Sequence, residues 1–231
     1  MVGTGSGAGA SGPLHPDPLH ASFLARLPVD GASVSVVTVA GSHSTVSSSD
    51  ALATRLEQLQ FDLGEGPHYR ALESRKPVLV ADVRSADHSA WPMFGQAVVQ
   101  TEARAVFSFP LRIGAVTVGV VDLHRLSPGD LSDLDLAHAA ALAGAIAGKA
   151  AAYAAADADG EGRDELVAGT RRQVHQATGM MAVQLDTSVT DAFARLRGHA
   201  YAAGRSVDEV ARDVVAGVLD FTDDPTDSET A

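Results

Sequence analysis

AVFSFPLRIGAVTVGVVDLH, Ala105 to His124, decides the architecture of the front of this 231-residue chain. Two runs rich in β-branched and aromatic residues, Ala105 to Ile113 and Val116 to His124, are separated only by Gly114-Ala115. A connection that short joins antiparallel neighbours, because parallel strands need a crossover of about a dozen residues or more. The run predicts a hairpin and argues against a fold of parallel strands alternating with helices. Asp122 is for that reason not read as a phosphoacceptor, which would also need an early acidic pair.

Working outward, Val78 to Ala81 reads as a short strand. SVSVVTVA (33–40) is a β-branched buried strand, with STVSSSD behind it as its hairpin partner. Helical patterns fall at 51–60, 68–75 and 94–101, with a turn at Gly64-Glu65-Gly66-Pro67 between the first two. Leu131 to Ala156 reads as one long alanine-rich helix with Leu134, His138, Leu142, Ala145 and Lys149 along a stripe. Small side chains permit close helix approach, so this stripe packs either on its own sheet or on a second copy.

The chain ends differently. In RRQVHQATGMMAVQLDTSVTDAFARLRGHAYAAGRSVDEVARDVVAG (171–217), Val167, Val174 and Met181 recur every seven residues and place one helix face against a partner. Ser188 with Asp191, and Ser206 with Glu209, carry the spacing of capping boxes and open two further helices, the first ending at Gly204. Three helices this short close only a small core, which predicts that neighbours or a second copy cover part of it. From Glu165 to Gly217 the arginines 171, 172, 195, 197, 205 and 212 balance the acids 165, 186, 191, 208, 209 and 213, so nucleic-acid affinity must come from a local basic face.

Composition, 45% hydrophobic and 20% charged, is that of a globular protein, and the net charge of -12 repels nucleic acid everywhere except at the neutral C-terminal helices. The absence of cysteine excludes disulfides, thiolate-metal sites and thiol redox sensing. No run is apolar enough to span a membrane and the N-terminus lacks the pattern of a signal peptide, which predicts a cytoplasmic protein without membrane contact. His43, His68, His88 and His124 lack the spacing that marks metal ligation, so no metal or other cofactor is expected. No nucleophile elbow, phosphate loop or zincin motif is present, and the chain reads as a non-enzyme.

Arg172-x-x-His175-Gln176-Ala177-x-Gly179-Met180-Met181, followed by Ala192-Phe193-x-x-Leu196-Arg197-x-x-Ala200 and Val207-x-x-Val210-Ala211, resembles the ANTAR domain. That resemblance implies a dimeric three-helix module that holds paired hairpins in a nascent transcript and prevents transcription termination. Its RNA-binding candidates here are Arg171, Arg172, His175, Gln176, Ala177, Thr178, Gly179, Arg195, Arg197 and Arg205. The family carries lysine where this chain has Thr178, and loss of a cation there predicts weaker phosphate contact or an altered salt dependence.

LQFDLGEGP (59–67), with Phe109-Pro110-Leu111 and Gly119-Val120-Val121-Asp122-Leu123, is similar to GAF domains that precede ANTAR domains in actinobacterial regulators. The resemblance implies an α+β sensory or dimerising domain with a central antiparallel sheet. Cysteine often follows Glu-Gly-Pro in that family, where this chain has His68. An unidentified small molecule is expected to meet Phe61, His68, Trp91, Phe94 and Phe107.

The resulting organisation is a flexible N-terminus (1–18), a GAF-like domain (19–156), a linker (157–163), an ANTAR-like domain (164–219) and an acidic disordered tail (220–231). RNA hairpins and a second copy are the expected partners. Two other readings stay open: a DNA-binding helix-turn-helix formed by 190–203 and 206–219, and a protein-interaction dimer that binds no nucleic acid.

Overall fold

The computed structural model describes residues 18–37, 43–158 and 165–221, with the side chains at 154, 156–158 and 165–172 left aside. The expectations for 1–17, for 159–164 and for the tail beyond 221 lie outside the described residues. After a short helix α1 (Ala21–Leu24), strands β1 (Gly31–Val37) and β2 (His43–Ser48) pair antiparallel.

Helix α2 (Ala51–Leu63) starts where Asp50 accepts from the Ala53 N–H at 2.9 Å, and ends at Gly64, whose φ of 66° is the left-handed conformation that a terminating glycine supplies. Pro67 opens α3 (Pro67–Ser74) and Pro92 opens α4 (Pro92–Val98), both at a position where a missing N–H costs nothing. Because Pro92 starts it, α4 lies slightly upstream of the predicted 94–101.

Strands β3 (Val78–Val80), β4 (Ala105–Ile113) and β5 (Val116–Arg125) complete a five-stranded sheet in the order β2-β1-β5-β4-β3, every neighbour antiparallel. The predicted hairpin turns at Gly114, with φ of 60°. One face of the sheet packs Phe107, Phe109, Leu111 and Leu123 against α5 (Asp133–Ala158); the other side holds Val80, Val106 and Phe94 with Leu56 and Leu59 of α2.

Helices α6 (Glu165–Gln184), α7 (Val189–Ala202) and α8 (Val207–Val215) form a second unit. Both capping serines accept from the N3 N–H, and at α8 the Glu209 carboxylate also accepts from the Ser206 N–H at 2.9 Å, closing the box. Val174, Ala177, Met181, Leu196, Val210 and Val214 make its core. This core is completed by Phe61, a residue of α2.

Candidate functional site

Helix α2 carries two faces with different duties, and both follow from its 3.6-residue period. Glu57, Gln60 and Phe61 line a cleft with His43 at the start of β2 and with His68 and Tyr69 of α3. The cleft holds about 200 Å³ of empty space, part of it open to solvent. Its centre is His68, which is 4% exposed. Gln60 Oε1 accepts the His68 backbone N–H at 2.8 Å, and Asp122 Oδ2 stands 2.7 Å from His68 Nδ1.

Asp122 faces Ser108 across the β4–β5 pair and accepts its hydroxyl on the other oxygen. A carboxylate can only accept, so the ring proton sits on His68 Nδ1, and in the neutral ring Nε2 presents a lone pair. That Nε2 lies 3.2 Å from His43 Nδ1. The rings of His43, His68 and Tyr69 pack with centroids 5.1 to 5.3 Å apart. Glu57 accepts from Thr45 Oγ1 at 2.6 Å, while Gln60 is 1% exposed and its Nε2 has no hydrogen-bond partner among the described residues.

An adjoining side of α2, which shares Phe61 with the cleft, meets α7 and α8. The Phe61 ring lies 5.4 Å from that of Phe193. Asp62 accepts the Val207 N–H at 3.4 Å, and Gln58 Nε2 donates to Asp208 at 3.3 Å. The Arg197 guanidinium sits over the Phe193 ring and against Gly64, so closely that a methyl group on Gly64 would overlap it. Charges are matched to helix ends in both directions: a cation from α7 reaches the C-terminus of α2, and a carboxylate from α2 reaches the N-terminus of α8.

The RNA candidates separate by environment. Arg171 and Arg172 lie on α6, where side chains are outside the described residues. His175, Gln176, Gly179 and Arg195 are exposed. Ala177 and Thr178 are not at the surface: Ala177 is fully buried in the three-helix core, and Thr178, 4% exposed, donates its hydroxyl to the Val174 carbonyl at 2.7 Å. Arg197 is half-buried at the junction with α2. Arg205 pairs with Asp213 at 2.8 Å and donates to the Glu209 carbonyl at 3.2 Å.

Of the ligand candidates, only Phe61 and His68 line the cleft. Phe94 and Phe107 are core residues on opposite sides of the sheet, 1% and 0% exposed, and Trp91 packs beside Phe94. These three pack within the domain, away from the cleft. Tyr69, Gln60, Glu57 and Ser108 were not singled out by the sequence. The available signal was Ser108 and Asp122, polar residues at matching places in two otherwise apolar strands.

The family profile of the GAF domain matches residues 19–148, and that of the ANTAR domain matches residues 168–215. No curated protein matches the chain. Among solved structures it is similar to a domain ascribed to a two-component sensor histidine kinase protein of Sinorhizobium meliloti 1021, at 19% identity over 57% of this chain and 85% of that one, with a TM-score of 0.47. It is also similar to a GAF domain/HD domain protein of Geobacter sulfurreducens (15% identity, 59% and 88% covered, TM-score 0.43). A type II free methionine-R-sulfoxide reductase of Thermoplasma acidophilum is a third (17% identity, 52% and 77% covered, TM-score 0.39). These three likenesses carry no argument about ligand or activity.

Proposed function

Since the chain belongs to the GAF domain family and carries an ANTAR domain behind it, a regulator with a sensory front, we propose that it binds paired hairpins in nascent RNA and prevents transcription termination. Its two domain types are regulatory rather than catalytic. The observation that carries the proposal is the position of Arg197. This cation of the RNA-binding motif is held against the C-terminus of α2, a helix of the sensory domain that also lines the histidine cleft.

In this arrangement the module is closed. Opening the α2 junction frees Arg197 and the N-terminus of α8, and adds them to the exposed set His175, Gln176 and Arg195. Guanidinium groups suit phosphate and splayed bases, and helix N-termini suit phosphate. The sensory domain thereby sets the population of the RNA-competent state.

Paired hairpins call for paired modules, and the stripe on α5 suits a second copy: Leu134, His138, Ala145 and Lys149 are exposed, whereas Leu142 packs on the sheet. Among the described residues no helix is long and apolar enough to cross a membrane. A cytoplasmic location is part of this proposal, because nascent transcripts are made there.

The test is titration of the full chain with a tandem-hairpin RNA, a scrambled RNA and a matched duplex DNA at two salt concentrations. Hairpin-selective binding, strengthened by Phe61→Ala and weakened by Arg195→Glu, is expected. Preference for the duplex would support the helix-turn-helix reading instead. No binding by the wild-type chain or by Phe61→Ala would leave a protein-interaction dimer.

A further inference from the structure

We infer that Tyr201 is the platform on which the C-terminal helices stack an unpaired base of an RNA loop, with Arg197 and Arg195 placed to take the phosphates beside it. The inference rests on the RNA-binding reading above and adds to that site a residue outside the candidates read from the sequence.

Tyr201 stands near the C-terminal end of α7 and is 62% exposed. The inner face of that helix already packs Ala192, Leu196 and Ala200, so the ring is surplus to the core. One exposed aromatic side chain by itself calls for no explanation; its surroundings do. A helical side chain leans over the turn before its own, and on that turn Gly198 carries none. A methyl group placed on Gly198 would meet nothing within 4 Å, and the same holds at Gly204, three residues beyond the tyrosine. Glycines on both sides therefore leave clear the space beside the ring that a flat body needs.

Cations flank this space. Arg197 lies four positions before Tyr201, one turn away on the same side of the helix. In the closed arrangement its guanidinium is drawn over the Phe193 ring, 5.4 Å from the centroid, and against Gly64. Arg195 is exposed on the other flank, about 120° around the helix and about 9 Å along it. The acid of α7, Asp191, is occupied at the start of its own helix, where it accepts the Ser188 hydroxyl at 2.7 Å.

The make-up of the face selects a nucleobase over a protein helix. Stacking uses one ring face and tolerates any base, whereas a helix partner needs an apolar stripe of several anchors. Around Tyr201 the exposed residues are Ala194, Gly198 and Ala202. Among the described residues α7 exposes one other large apolar side chain, Val189, which is about 18 Å away along the axis. Bases splayed out of loops are the part of RNA that aromatic side chains hold. Unlike Arg197, Tyr201 is accessible while α2 still holds the module. A loop base can engage it first, and the neighbouring phosphate then competes with Phe193 and the end of α2 for Arg197.

The experiment titrates the full-length protein, as wild type and as Phe61→Ala, with a tandem-hairpin RNA and with versions of it in which one loop nucleotide at a time is abasic. Tyr201→Ala should weaken hairpin binding about 10–100-fold, as loss of one base–aromatic stack does, and leave its salt dependence unchanged because no phosphate contact is lost. Tyr201→Phe keeps the ring and should bind within about threefold of the parent chain. One abasic position should weaken the parent by the same factor as Tyr201→Ala and have no further effect in that variant. The substituted position is exposed, so the variants fold, and unchanged circular dichroism checks it. Equal affinity of Tyr201→Ala and its parent for the hairpins overturns the inference while RNA binding stands, as does a loss in Tyr201→Ala to which every abasic position adds in full. Absence of hairpin binding by both wild type and Phe61→Ala removes the RNA reading itself, and this inference with it.

Discussion

Phe61→Ala separates the two units without unfolding the sheet, and its size can be worked out from packing. Phe61 belongs to α2 in sequence but to the three-helix core in space: it is 9% exposed and clusters with Val174, Leu196, Val210 and the Phe193 ring. Truncating a buried phenylalanine costs about 3–5 kcal/mol. One edge of this ring faces the cleft, so the lower end, about 3 kcal/mol, applies. At 1.4 kcal/mol per decade that is roughly a 100-fold rise in opening of the module. Helix α2 itself stays in place, because Leu56 and Leu59 anchor it to the sheet side.

Hydrogen exchange reads this directly: amides of α7 and α8 should lose about 100-fold in protection while β4 and β5 keep theirs. A cycle with Phe193→Ala should show coupling of about 0.5–1.5 kcal/mol for the ring pair. Protection of α7 and α8 unchanged within about threefold, or an equal loss in the sheet, would refute the reasoning.

Three further outcomes are expected. Burial holds His124 below the ordinary imidazole value of 6.5, against the pull of Asp50 and Asp30, and His20 is lowered for the same first reason. The unfolded chain then takes up protons below 6.5 that the native chain resists, so stability is level above that value and falls as pH drops beneath it. Urea midpoints at pH 7.5 and 5 should show the fall, and His124→Gln should reduce it.

Gly64→Ala places a side chain where φ is 66° and where Arg197 lies; it should cost about 1–2 kcal/mol from backbone conformation and release Arg197, raising RNA affinity of the full chain. A filter-binding titration beside the Arg197→Ala background, where the gain should vanish, checks it. Thr178→Lys forces a long cation into a site 4% exposed, and should destabilise by about 1–3 kcal/mol, visible as a lowered melting temperature.

The sheet was legible because its signals are local. The Gly114-Ala115 step fixes the β4–β5 register, Gly64 and Pro67 mark a helix end and a helix start, and both capping serines act as their spacing implies. The site was not legible, for a physical reason. His43, Gln60, His68 and Asp122 come from four elements, and nothing in the period of a strand or helix records which of them will face one another. Phe61, Phe94 and Phe107 look alike in sequence, yet one bridges two units and the others fill the sheet's two sides. Arginine positions were equally mute: Arg195 is exposed, Arg205 is tied to Asp213, and Arg197 is spent on a helix of the other unit.

The exchange of charges between helix ends, Arg197 toward α2 and Asp62 toward α8, makes ionic strength act twice. Added salt screens the attraction that keeps the units together, and it also weakens phosphate contacts made once they part. The first effect enlarges the binding-competent fraction and the second lowers its affinity. A plot of log affinity against log salt will bend rather than run straight, and its low-salt limb will be shallower than the number of phosphate contacts implies.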